Sequence, residues 1–117
     1  MVIDIPKQAE VIVTYGVDAQ LGIHMEECAE LIQAISKANR DKQPMNLLHE
    51  DVYKNLIEEM ADVLICMEQL KEIFGITDGS IQEVIYKKAE RQKQRMGKYW
   101  ELKGAELEGR DFKCSDS

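Results

Sequence analysis

Only two prolines, Pro6 and Pro44, stand in 117 residues, and both fall where the apolar periodicity already breaks. The stretches around Pro44 are built largely from Glu, Lys, Ala, Leu, Met, Gln and Ile, residues that give up little on becoming helical. Aromatics make up only 6% of the chain, too few for a β-rich core. The sequence therefore predicts an all-α fold. A first helix is expected over 7–15, stopped by Gly16, and a second, capped by Asp18, up to 38 or 39. Residues 40–44 read as a polar loop. A third helix is expected to start between 46 and 51, run to Phe74 and stop at Gly75, with a turn over 76–79. Ser80 and Glu83 have capping-box spacing, which opens a last helix over 81–96 that Gly97 ends or interrupts. From Glu101 the periodicity is lost. Residues 1–100 thus read as one four-helix-bundle-like domain and 101–117 as a mobile extension. So small a core is expected to be completed by burying exposed stripes against further copies, as a homodimer or homotetramer.

The formal net charge of −7 argues against a nucleic-acid-binding surface over the whole molecule, which needs a basic field. It leaves room for a nucleotide bridged to the protein by metal cations. Three cysteines, Cys28, Cys66 and Cys114, give neither a disulfide framework nor a zinc spacing. The first residues lack the basic-then-apolar order of a signal peptide, and no apolar run approaches membrane-spanning length. No membrane partner is expected, and a reducing cytoplasm is the simplest location.

A helix advances about 100° per residue, which sorts the acidic groups by face. On the second helix Leu21, Met25, Cys28, Leu31, Ile32 and Ile35 form the apolar stripe. Glu26 falls opposite it, as an ordinary solvated charge. Glu27 falls beside it, on the flank shared with Gln20, His24, Ala34 and Ala38, with Glu30 one step further round. On the third helix the stripe is Val52, Leu56, Met60, Val63, Met67, Leu70 and Phe74, with Met60 and Met67, like Met25, read as core filler. Glu58 points away from it, whereas Glu59 projects into the flank of Cys66, Leu70 and Ile73, with Asp62 one turn on. Each helix thus carries an inner pair, Glu27/Glu30 and Glu59/Asp62. Taken helix by helix, an acidic pair usually marks a solvated surface laced with ion pairs. Here no basic residue follows any of the four at i+4. Four partly desolvated carboxylates repel one another or take up protons unless cations neutralise them, and clustered oxygen donors suit magnesium.

The two half-motifs, Glu-Glu-x-x-Glu (Glu26, Glu27, Glu30) and Glu-x-x-Asp (Glu59, Asp62), in the contexts EECAELIQAI and EEMADVLICM, resemble the all-α nucleoside triphosphate pyrophosphohydrolases of the MazG type. The resemblance covers roughly residues 20–95. It implies magnesium-dependent cleavage between the α and β phosphates of a nucleoside triphosphate, often a deoxynucleotide, giving the monophosphate and pyrophosphate, with Mn²⁺ as a substitute cation. It also implies that Glu27, Glu30, Glu59 and Asp62 are the catalytic metal ligands, one of them orienting the attacking water.

A triphosphate needs fixed positive charge as well. Lys88, Arg91 and Arg95 recur at i, i+3 and i+7 within YKKAERQKQRMGKYW and share one helix face. The family carries a Lys and a basic or amide residue on the equivalent helix, so these three are the expected substrate-binding cations, a solvated basic face being the plainer alternative. Gln20 and His24 lie on the side of Glu27, one and two turns before it, and are candidate contacts to base or ribose; structural hydrogen bonding is the commoner use of such a His. Tyr99 and Trp100 could stack on a base or anchor their helix.

Three other readings compete. Phosphoribosyl-ATP pyrophosphohydrolases share the acidic pattern, but their element ahead of the first motif is not reproduced by VTYGVDAQ. A non-catalytic helical interaction module would use its acidic groups only for solubility. A ferritin-like metal bundle needs Glu-x-x-His, and neither His24 nor His49 follows a Glu by three residues.

Overall fold

The computed structural model describes residues 3–114, with side chains for 3–107. Among the described residues the chain forms four α-helices and no strand: α1 (Ala9–Tyr15), α2 (Val17–Asp41), α3 (Glu50–Phe74) and α4 (Asp78–Cys114), with a 3₁₀ turn at Pro44–Asn46 before α3. The chain divides into two compact units. The first, up to Ile76, contains α1, α2 and α3; the second, from Thr77, is α4.

The helix boundaries follow the punctuation in the sequence, with instructive exceptions. Gly16 is the whole connection between α1 and α2; its φ of 91° is open to glycine and strained for other residues. It caps both helices, donating to the Ile12 carbonyl at 2.8 Å and accepting from the Gln20 amide at 3.1 Å. Asp18, expected as the cap of α2, lies in its first turn instead, where it still complements the helix dipole. Gly75 ends α3 in the left-handed conformation, as expected. The last helix starts earlier than the Ser80–Glu83 spacing implies. Thr77 takes the capping role, its Oγ1 accepting from the Ser80 amide at 3.1 Å, which leaves Ser80 inside α4. Gly97 does not stop α4: without a following proline or a left-handed residue, one internal glycine costs only about 1 kcal/mol. Helix thus extends through the aperiodic region to Cys114.

Within the first unit α2 and α3 run antiparallel. At one end of the pair the Asp41 carboxylate accepts from the His49 backbone amide (2.9 Å) and from His49 Nδ1 (2.7 Å), which holds the connecting loop closed. These bonds, the backbone one first, keep the Asp41 carboxyl below its ordinary range. At the other end Gln20 of α2 meets Gln69 of α3.

The face on which the two helices meet keeps Val63 of the expected stripes but otherwise lies to one side of them. Met25, Ile32 and Ile35 of α2 and Met60, Met67 and Phe74 of α3 are at least half exposed within the protomer. The buried positions are Gln20, His24 and Ala34 on α2, and Val63, Cys66 and Gln69 on α3. The helices therefore meet along the flank that carries small and hydrogen-bonding side chains. Ala34, 1% exposed, lets the backbones approach, and the buried amides satisfy one another across the seam. The methionines read as core filler lie instead on the open stripes.

Candidate metal centre

The same seam carries the acidic groups. Glu27 and Glu30 stand one turn apart on α2, and Glu59 and Asp62 one turn apart on α3. One carboxylate oxygen from each of Glu27, Glu30 and Glu59 lies within 4.8 Å of the others. Asp62 is outside that trio and adjoins it, its charge acting on both Glu27 and Glu59. The outer residues Glu26 and Glu58 are exposed, as their helix positions predict.

The electrostatics are those of acids forced together without a counter-charge. No ion pair among the described residues involves any of the four. Burial, then the neighbouring charges of Glu30 and Asp62, push the Glu27 carboxyl up to about 7. Burial and then the Glu30 and Asp62 charges raise Glu59 in the same direction. Like charges brought together in this way favour the protonated form of one acid over full ionisation of all. Glu27 Oε2 and Glu59 Oε2 are buried with no hydrogen-bond partner. Buried, unpartnered carboxylate oxygens on opposite sides of one seam are a donor set that could hold a divalent cation. Cys66 lies beside the cluster, but burial pushes its thiol up to about 11, so it behaves there as a small apolar group.

The family model of the MazG nucleotide pyrophosphohydrolase domain matches residues 18–96. The chain belongs to this family. No curated protein and no solved structure matches it. The MazG match begins within the first turn of α2, leaves out α1 and ends within α4. It therefore contains both acidic pairs and the basic stretch of α4.

The remaining expected site residues fall in two places. Lys88, Arg91 and Arg95 are exposed on α4, and none makes an ion pair among the described residues. Tyr99 and Trp100, on the same helix, meet edge to face at 5.2 Å and are both more than half exposed. Gln20 and His24 are 4% exposed and turned onto Gln69 of α3. His24 also borders a cleft of about 560 Å³ with Leu21, Met25, Cys28, Ile32 and Leu70. Gln69 was not singled out by its sequence. Its signal was available: it lies seven residues after Asp62 and three after Cys66, on the seam line rather than the apolar stripe of α3.

Proposed function

We propose that the protein is a magnesium-dependent nucleoside triphosphate pyrophosphohydrolase that splits the bond between the α and β phosphates of a ribo- or deoxyribonucleotide, releasing the monophosphate and pyrophosphate. The observation that carries the reading is the convergence of Glu27, Glu30 and Glu59 oxygens within 4.8 Å, two of these residues keeping a buried, unpartnered oxygen, on helices matched by the MazG domain.

In this reading Glu27, Glu30, Glu59 and Asp62 hold Mg²⁺, with Mn²⁺ able to replace it. The cation supplies charge neutralisation at the phosphates and lowers the pKa of bound water. The protein's own part is positioning. One carboxylate of the cluster orients the attacking water and draws off its proton, while the bond from the α-phosphorus to the bridging oxygen breaks and its electron pair leaves with pyrophosphate. Lys88, Arg91 and Arg95 take the negative charge of the triphosphate. The apolar cleft beside His24 is the proposed seat of the base. Because Gln20 and His24 spend their donors on Gln69, we assign them a role in shaping that cleft ahead of a direct contact with base or ribose.

The open stripes of α2 and α3 support self-association as a homodimer or homotetramer, since contiguous apolar surface of this kind marks an interface. No helix among the described residues is long and apolar enough to cross a membrane. The free thiols of Cys28 and Cys66 suit a reducing compartment, so the proposal places the enzyme in the cytoplasm.

A panel of ribo-, deoxyribo- and modified nucleoside triphosphates with Mg²⁺ tests the activity. The expected products are monophosphate and pyrophosphate; orthophosphate with diphosphate, or no turnover across the panel, rejects the reading. Light scattering at micromolar concentration tests the assembly, with a clean monomer as the rejecting result.

A further inference from the structure

The three residues that bury polar atoms beyond the acidic cluster form a single directed chain. Gln8 Nε2 donates to the Pro6 carbonyl at 2.7 Å. That carbonyl can only accept, so the Gln8 amide is oriented with its oxygen free. Gln69 Nε2 then donates to Gln8 Oε1 at 3.0 Å, which turns Gln69 Oε1 toward α2. Two donors from successive turns of α2 converge on that oxygen: Gln20 Nε2 at 2.9 Å and His24 Nε2 at 2.7 Å. The orientation also fixes His24 in the tautomer protonated at Nε2, because an acceptor faces it. One amide of α3 is thereby clasped between two turns of α2, in a region from which water is excluded.

The spacing links this clasp to the carboxylates. Gln20, Glu27 and Glu30 follow one another on α2 at intervals of seven and three residues; Gln69, Asp62 and Glu59 repeat those intervals on α3 in the reverse direction. Because the helices are antiparallel, a register that pairs Gln20 with Gln69 also pairs Glu27 with Asp62 and Glu30 with Glu59, about 10.5 Å further along for the first of these pairs. In that register one oxygen each of Glu27, Glu30 and Glu59 converges within 4.8 Å, and Asp62 lies close enough for its charge to act on Glu27. Apolar contacts along a helix seam tolerate sliding, whereas a buried polar pair does not, which is how a single buried amide sets register in coiled coils.

We propose that Gln69 is a positioning residue for the cation site: its clasp on Gln20 and His24 sets the axial register in which the four carboxylates converge. This rests on reading those carboxylates as a divalent-cation site.

The test measures Mn²⁺ binding by the loss of the free-ion electron paramagnetic resonance signal, without substrate, on the full chain. Gln69→Met keeps the side-chain length and removes the hydrogen bonds; it is expected to weaken Mn²⁺ binding about tenfold or more while the helical circular dichroism is retained. Ile12→Ala is the control, since Ile12 is buried in α1 and touches none of the clasp bonds. It is expected to lower the melting temperature and leave Mn²⁺ affinity within about twofold. If Gln69→Met does not fold, Gln20→Met, which removes only one of the two α2 donors, is expected to weaken binding several-fold. Unchanged affinity in the folded clasp variant, or an equal loss in Ile12→Ala, overturns the positioning role. Absence of Mn²⁺ binding by the unaltered protein rejects the cation site itself, a separate and recognisable result.

Discussion

The two ends of the α2–α3 seam bury polar groups in the same interface and treat them oppositely. At the amide end, donors from Gln20 and His24 find the Gln69 oxygen, and Gln69 in turn finds Gln8. The residue left over is a pair of acceptors, Gln20 Oε1 and His24 Nδ1. At the carboxylate end four like groups face one another, no cation side chain reaches them among the described residues, and Glu27 is driven to hold its proton up to about pH 7. Burying polar groups costs free energy at both ends. The amide end recovers most of that cost from within the fold. The carboxylate end does not, and this is the contrast on which the proposed cation site rests.

The largest effect should follow from the carboxylate end. Glu59→Gln keeps the shape of the side chain and removes its charge, so it is expected to fold normally and to lose nearly all turnover. The loss in kcat should exceed the roughly 10–100-fold typical of residues that only support a ligand. Retained activity would remove Glu59 from the site and erase the contrast between the two ends. Next in size is the basic face of α4. Lys88→Ala and Arg91→Ala are each expected to raise KM for a nucleoside triphosphate by about tenfold or more, the scale of one charge-assisted hydrogen bond, with a smaller change in kcat. Unchanged KM in both returns that face to solvent.

How much of this could be read in the chain depends on the kind of signal. The all-α class, the break near Pro44 and the stop at Gly75 were legible because proline and glycine act locally. The inner and outer acids were separable because helical angle alone puts Glu26 and Glu58 on the solvent side. What angle could not supply was the choice between two adjacent faces as the packing face. Hydrophobicity nominated the stripe through Met25 and Ile32, whereas the contact runs through Ala34, Cys66 and the buried amides. Close approach and hydrogen-bond complementarity decide that choice, and both are properties of the pair of helices. Gln69 is illegible for the same reason: alone, it is a polar residue in an apolar run. The length of α4 is not legible because amphipathic periodicity reports packing and not helix formation; α4 keeps its backbone bonds without such a pattern.

A sharper break in the comparison comes from stability without metal. Gln69→Met strands two buried donors, so it should lower the melting temperature; each unmet group costs about 1–3 kcal/mol. Glu59→Gln relieves repulsion, so it should raise the melting temperature of the metal-free protein while abolishing most of the stabilisation that millimolar Mg²⁺ gives the unaltered chain. Thermal melts in chelator and in Mg²⁺ check both. Opposite signs at the two ends are the expected outcome, and the same sign at both would mean that the carboxylates are compensated after all.

The smallest expected effect is a pH dependence of a few degrees in melting temperature. Glu27 has its carboxyl raised from 4.5 to about 7 in the folded protein. Between those values the folded state keeps a proton that the unfolded chain has released. Stability therefore falls as pH rises, because it is the native state that binds more protons. The metal-free protein should melt at progressively lower temperature from about pH 5 to about pH 8. Asp41, whose carboxyl is lowered by its His49 bonds, contributes the opposite slope, but only at acid pH below this window. Saturating Mg²⁺ should flatten the curve, since a cation at the cluster replaces the proton, and its stabilising effect should accordingly be greater at pH 8 than at pH 6. Glu27→Gln should flatten the metal-free curve too, whereas Gln69→Met should shift it downward with its slope intact, because the amide end carries no raised carboxylic acid. A slope that survives Glu27→Gln would locate the titrating group elsewhere and show that the two ends differ in geometry but not in charge.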